Sequence, residues 1–382
     1  MASAARVFTC ATMNVFTKLF NTLNWLPHYF QRELSLLVQK RRVEHLFFSI
    51  CDHFEPYWQN ASGKQARQRL DTWVTEYPKV AGKYKDSDGE ILKYSFFYPE
   101  EEYKKQDLDI LAELCRAGWG EVEVHLHHHN DTSENTRLTL LDYKKRLHEV
   151  HGQLPVNRIT GEINYGFIHG NWALDNSRPD GKWCGVNDEI TILQETGCYA
   201  DFTMPSAPSD TQTRKVNSIY YAIDNPCKPK SHDWGENATL GVKSKGLLMI
   251  QGPLGLRRNG GLFNWKIENG GLQANNLPTK ERADFWFNKR ISVVGLENIA
   301  FVRLYNHGTQ EPVMSMLFNE GGFEQLFSSL EEIAEVNNLS LHYLSAREMA
   351  NIVIAAEDGC GKYASVLRDH LLLHEVKKLK KE

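Results

Sequence analysis

From about residue 41 onward, short apolar runs alternate with stretches whose apolar residues recur at helical spacing. The first run, residues 46–52, is almost continuously apolar, as expected of a strand buried on both faces, and it ends abruptly in Asp52, His53 and Glu55. A second run covers 94–98, followed by a helix with Leu108, Leu111, Ala112 and Cys115 on one stripe and Gly118 and Gly120 as its stop. Residues 121–131 then read as extended chain. Val122, Val124 and Leu126 face one way, and Glu123, His125, His127 and His129 the other. Leu140, Tyr143, Leu147 and Val150 mark a further helix, and 165–172 a further strand. Asn187 is placed to cap a helix carrying Ile190 and Leu193 that stops at Gly197, before a strand near 201–204. This alternation predicts an α/β fold with mostly parallel strands.

Between about 206 and 290 the rhythm breaks, because Pro, Gly and Asn punctuate each apolar stretch; this segment reads as a long Gly-rich insertion with hairpins. The rhythm resumes with a strand at 299–304, a helix carrying Phe323, Leu326, Phe327 and Leu330, and a strand at 339–343. Ser345 and Glu348 have the spacing of a capping box that opens a last helix, with Gly359 as its end. Near the start, Phe16, Leu19, Phe20 and Leu23 form an amphipathic helix that Pro27 is expected to end. Packing of that stripe on the main domain is favoured over a membrane-surface anchor. The resulting division is an N-terminal helical extension (1–40), a main domain (41–345, insertion 206–290) and a C-terminal helix with a basic tail (346–382).

A chain of 382 residues suits one large α/β domain with extensions. Its formal charge of −4 predicts no nucleic-acid partner, and the basic residues after His374 read as a solvated end. Seven cysteines with no Cys-x-x-Cys pair argue against a disulfide framework or a zinc ribbon and fit a reducing, cytoplasmic setting. No run approaches the ~18 apolar residues of a membrane span. Membrane contact is left only to the N-terminal helix.

The chemistry concentrates where strands end: Asp52 to Glu55, His125 to His129, and Tyr305 to Gly308. Clustered imidazoles at strand ends point to a metal, with zinc first. His125 and His129 have the His-x-x-x-His spacing of the polysaccharide deacetylase family, carbohydrate esterase family 4, and the lead-in from Glu121 to Val124 is similar too. Leu304 to His307 is a looser match to that family's final Leu-x-His. The run from Asn187 to Phe202 is similar to the stretch between its third and fourth motifs. The likeness covers roughly 43–345 and implies a distorted (β/α) barrel of about seven parallel strands.

The family's Asp-Asp pair aligns with Cys51-Asp52, so the resemblance implies a metal held by Asp52, His125 and His129, with Cys51 standing in place of the usual base. In the other register Asp52 is the base and His53 the ligand. His127, on the same face, is able to replace either histidine, whereas His128 points away into packing. The implied activity is removal of an acyl group from a carbohydrate or related amide by metal-assisted hydrolysis. Glu55 takes a proton from water and His307 protonates the leaving group, its pKa held up by a carboxylate such as Asp201. The family's Arg-x-Pro-Tyr stretch is replaced by one containing Asn171 and Trp172, which become candidate substrate contacts. Two alternatives stand beside this reading: a non-catalytic carbohydrate-binding or scaffold protein, and a glycoside hydrolase marked by two carboxylates across the mouth at ~5 to 9 Å.

Overall fold

A computed structural model describes residues 15–39, 41–258, 260 and 264–374 of the chain. Its centre is one sheet of eleven strands: β1 (His45–His53), β2 (Tyr94–Pro99), β3 (Gly120–Leu126), β4 (Tyr165–His169), β5 (Cys198–Asp201), β6 (Ile219–Ala222), β7 (Glu236–Asn237), β8 (Leu247–Ile250), β9 (Gly271–Leu272), β10 (Ile299–Asn306) and β11 (Ser340–Tyr343). The order across the sheet is β9-β10-β1-β2-β3-β4-β5-β8-β6-β7. β11 pairs with the first half of β1, and β2 with its last residues. Every pairing from β9 to β8 is parallel, and β6 adds antiparallel to both β8 and β7.

Both faces of this sheet are covered, which explains the near-absence of alternation in its strands. Phe48, Ile50 and Phe54 pack with Leu70, Trp73 and Tyr77 of α2 (Gly63–Ala81) and with Leu108 and Leu111 of α3 (Lys105–Arg116). Phe47 and Cys51 lie in a second apolar cluster with Phe97, Ile168, Phe202, Ile250 and Phe301. Odd and even residues of β1 therefore enter different layers, a division that decides the roles of Asp52 and His53.

Several expectations are corrected. Eleven strands share the sheet, where about seven were expected, and the pairing among the described residues runs as an open path between β9 and β7, so a closed barrel is not shown. The 206–290 segment is the reason: it supplies β6, β7, β8 and β9 to the sheet itself, besides the separate hairpin of Gly255–Arg258 and Trp265–Glu268. Asn187 is not the cap of α5 (Glu189–Glu195), where Asp188 takes that position without a side-chain capping bond to the helix, and Asn187 accepts from Asn176 Nδ2 instead. The capping box at Ser345 and Glu348 is present.

Pro27 lies inside the first helix, Val15–Val38, and does not end it. Proline removes one backbone donor, but Trp25 and Tyr29 on either side are buried against Ala207, Val216 and Leu254, and this packing carries the helix through. The face thus buried is not the one expected, since Leu19, Phe20 and Leu23 are exposed. The side chain of Phe16 and the basic tail after His374 lie outside the described residues. No helix among the described residues is long and apolar enough to cross a membrane.

Candidate metal centre

Parallel pairing brings the carboxyl ends of β1, β3, β4 and β10 to the same side of the sheet. Asp52 is paired with Asn306, so the next residues on the two strands, His53 and His307, meet with ring centroids 4.7 Å apart. His125 lies opposite Ile168, and its ring is 5.0 Å from His53 and 4.6 Å from His127. Glu55 is brought into this space by the backbone after β1: Phe54 N–H donates to the Phe97 carbonyl (2.9 Å), and Thr309 Oγ1 donates to the Glu55 carbonyl (2.7 Å).

The result is a cluster centred on one carboxylate. Glu55 Oε1 is 3.2 Å from His125 Nε2 and 3.4 Å from His127 Nε2. A donor atom each from His53, Glu55 and His307 falls within 4.8 Å of the others, and the same holds for Glu55, His125 and His127. Two of the rings are oriented from behind: His125 Nδ1 donates to the Ile168 carbonyl (2.7 Å) and His127 Nδ1 to Glu101 Oε1 (2.5 Å). With the proton fixed on Nδ1, a neutral ring presents a bare lone pair at Nε2, and both lone pairs are aimed at Glu55. His53 Nε2 is buried without any hydrogen-bond partner. Lone pairs converging on a carboxylate in buried space are repulsive until a cation or a proton sits between them. The donor set therefore fits a divalent ion of the zinc type.

Without metal, protons fill part of that role. Burial favours neutral His127, but Glu101 and Glu55 on either side overcome it and push its pKa up to about 10. Burial likewise opposes ionised Glu101, yet the adjoining His127 holds it down at about 2. Glu55 is kept well below the ordinary carboxylate range, against burial, by the imidazoles of His125 and His127 beside it. His53 lies well below the usual histidine value because it is buried and faces His307 and His125. Burial also lowers His307, outweighing Glu55.

Several sequence-derived assignments change accordingly. Asp52 is not in the cluster: it lies in the layer of Ile50, where it accepts from Gly308 N–H (2.8 Å) and Tyr94 Oη (3.0 Å). Burial raises it to about 7. Of the two registers considered, the geometry brings His53, not Asp52, to the centre. His129 is exposed, and its Nδ1 accepts from Trp183 N–H (3.0 Å). β3 ends at Leu126, so the extended alternation does not reach residue 129, and His127 stands beside His125 instead. His307 is in the cluster, but its lowered pKa is the opposite of what a proton donor at neutral pH needs. Asp201 is not its partner, being bonded to Thr203 N–H and Oγ1. Cys51 is fully buried, and burial raises its thiol to about 12, which leaves it inert.

Trp172 lies over the centre, its ring 5.6 Å from His53 and 5.7 Å from His307. Beside it Asn171 is buried with both amide atoms unpartnered. Both residues have positive φ, so the chain turns sharply just beyond the end of β4. Gly170 makes that turn possible: a Cβ there would lie 2.1 Å from the His127 ring. Glu101, which orients His127, is a residue of this cluster that sequence reasoning missed, and its place just after β2 was the available signal.

No protein-family model matches this chain, and no curated protein matches it. The site is therefore defined by its own residues.

Proposed function

We propose that a divalent metal ion, zinc first, is held by ligands drawn from His53, Glu55, His125, His127 and His307, and that the protein is a metal-dependent hydrolase acting on an acylated carbohydrate or a related amide. The observation that carries this reading is the convergence of His125 and His127, each tied at Nδ1, on Glu55 beside the partnerless His53 nitrogen. When bound, such an ion supplies Lewis acidity toward a carbonyl and toward water. The Ile168 carbonyl and Glu101 hold two rings in the ligating tautomer. Glu55 stays ionised at neutral pH and is the carboxylate at the centre of the cluster, which suits it to bind the ion. Trp172 offers an aromatic face and Asn171 an amide with free hydrogen-bonding capacity, the pairing that sugar and amide ligands use.

The test is metal analysis of the purified chain together with acetate release from N-acetylated sugar oligomers. The expected result is that His127→Ala removes one zinc equivalent and abolishes release. Zinc content indifferent to both His125→Ala and His127→Ala would remove the metal centre. Zinc bound without any acetate release from the wild type would remove the deacetylase half and leave a carbohydrate-binding role.

A further inference from the structure

His128 points to the opposite side of the chain from His127 and meets a second set of donors. Its Nε2 is 2.9 Å from His169 Nε2 and 3.1 Å from Glu189 Oε1, and His169 Nε2 is 3.4 Å from the same oxygen. Each imidazole is again oriented from its other nitrogen. His128 Nδ1 faces Asp131 Oδ2 (3.0 Å), and His169 Nδ1 faces the Gly170 carbonyl (2.5 Å). Both acceptors require an N–H, so in the neutral rings both Nε2 atoms carry lone pairs. Glu189 is equally fixed, its Oε2 accepting Asp175 N–H (2.6 Å) and leaving Oε1 for the histidines. Asp131 is anchored by Thr132 N–H, Asn135 and Thr136.

Three electron-pair donors from the loop after β3, the end of β4 and the start of α5 thus face one another in buried space. Their spacing matches coordination: ligands ~2.1 Å from a tetrahedral ion lie about 3.4 Å apart, and octahedral neighbours about 3.0 Å. Gly185 adjoins the His128 ring so closely that a Cβ would come within 2.0 Å of it. We infer that His128, His169 and Glu189 form a second metal site, a two-histidine, one-carboxylate set for a divalent first-row transition ion. The ion ties together the loop after β3, the end of β4 and the start of α5. This site shares no ligand with the first and does not depend on it.

Zinc stoichiometry of the full chain tests the inference. Protein stripped with a chelator and refilled with Zn²⁺ is expected to hold two equivalents after desalting. His169→Ala and Glu189→Gln should each lose one and keep the other. The deciding variant is His127→Ala, which leaves this second set intact: one equivalent retained, with imidazole scattering in its X-ray absorption spectrum, supports the site. No retained zinc in that variant overturns it, and a single proton shared between His128 and His169 then accounts for the geometry. A wild-type chain holding one equivalent that His169→Ala removes and His127→Ala does not would uphold this site while removing the centre proposed above.

Discussion

Two residues outside the proposed ligand set, Glu101 and Gly170, are placed to decide how well the first centre would hold an ion. Glu101 accepts the Nδ1 proton of His127 and so fixes which nitrogen is offered. Losing such an outer partner commonly costs 10–100-fold in metal affinity. Glu101→Gln is expected to weaken zinc binding by about that factor in competition with a chromophoric chelator; an unchanged Kd would mean that Glu101 plays no part in orienting the ring. Gly170 acts through space alone. A methyl group 2.1 Å from the His127 ring forces that ring or the turn to move. Gly170→Ala should therefore lower stability by about 1–3 kcal/mol in urea unfolding and weaken zinc binding together. If only stability falls, His127 is not a ligand. At this scale the sequence was partly legible: His125, Glu55 and His307 were recognisable as groups at strand ends. His129 misled because period two holds only while the chain stays extended, and β3 stops at Leu126.

At the scale of elements, β1, β2, β10 and β11 fall close to where their apolar runs place them, because strands buried on both faces leave a continuous signal. The strand expected near 201–204 is instead Cys198–Asp201, and the one expected to reach Trp172 stops at His169, where residues with positive φ take over. The insertion was the least legible part. Its short strands earn their place by pairing with β5 and β10, which no local pattern reveals.

β3 itself carries a testable strain. Glu123 is buried in the strand, accepting from Gly166 N–H (2.6 Å) and Tyr199 Oη (2.5 Å), and burial raises it to about 8 although both bonds and the more distant Arg347 oppose the rise and Glu121 adds to it. A carboxyl whose folded pKa exceeds its unfolded value of about 4.3 keeps its proton longer in the native state, so its stabilising share is full below that unfolded value and is lost as pH climbs toward about 8. Glu123→Gln cannot ionise. Its stability relative to wild type should rise between pH 5 and 8, as read from urea midpoints at each pH, and a flat difference would show that Glu123 is already ionised in the native state.

For the whole molecule, the proposed metal binding would be one equilibrium with folding, since the candidate ligands come from β1, β3, β10 and the segments after them, which adjoin only in the folded chain. An ion that binds the native state alone stabilises it by ~2.7 kcal/mol per site at a free concentration one hundred times Kd. Zinc should accordingly raise the midpoint of thermal unfolding, and a chelator should reverse the change. The gain must also depend on pH. In the metal-free chain His127 carries a proton, its pKa pushed up to about 10 by the carboxylates beside it, and an ion can take Nε2 only if that proton leaves. Below that pKa the proton competes with the metal, so zinc affinity at this centre should strengthen by up to tenfold per pH unit from pH 6 to 8, one proton being released for each ion bound. Calorimetry in buffers of different ionisation enthalpy measures that release directly, and His169→Ala confines the measurement to the first centre. Zinc uptake with no proton released at pH 7 would show that the ion does not displace the His127 proton, and the ligand set would then have to be assigned without it.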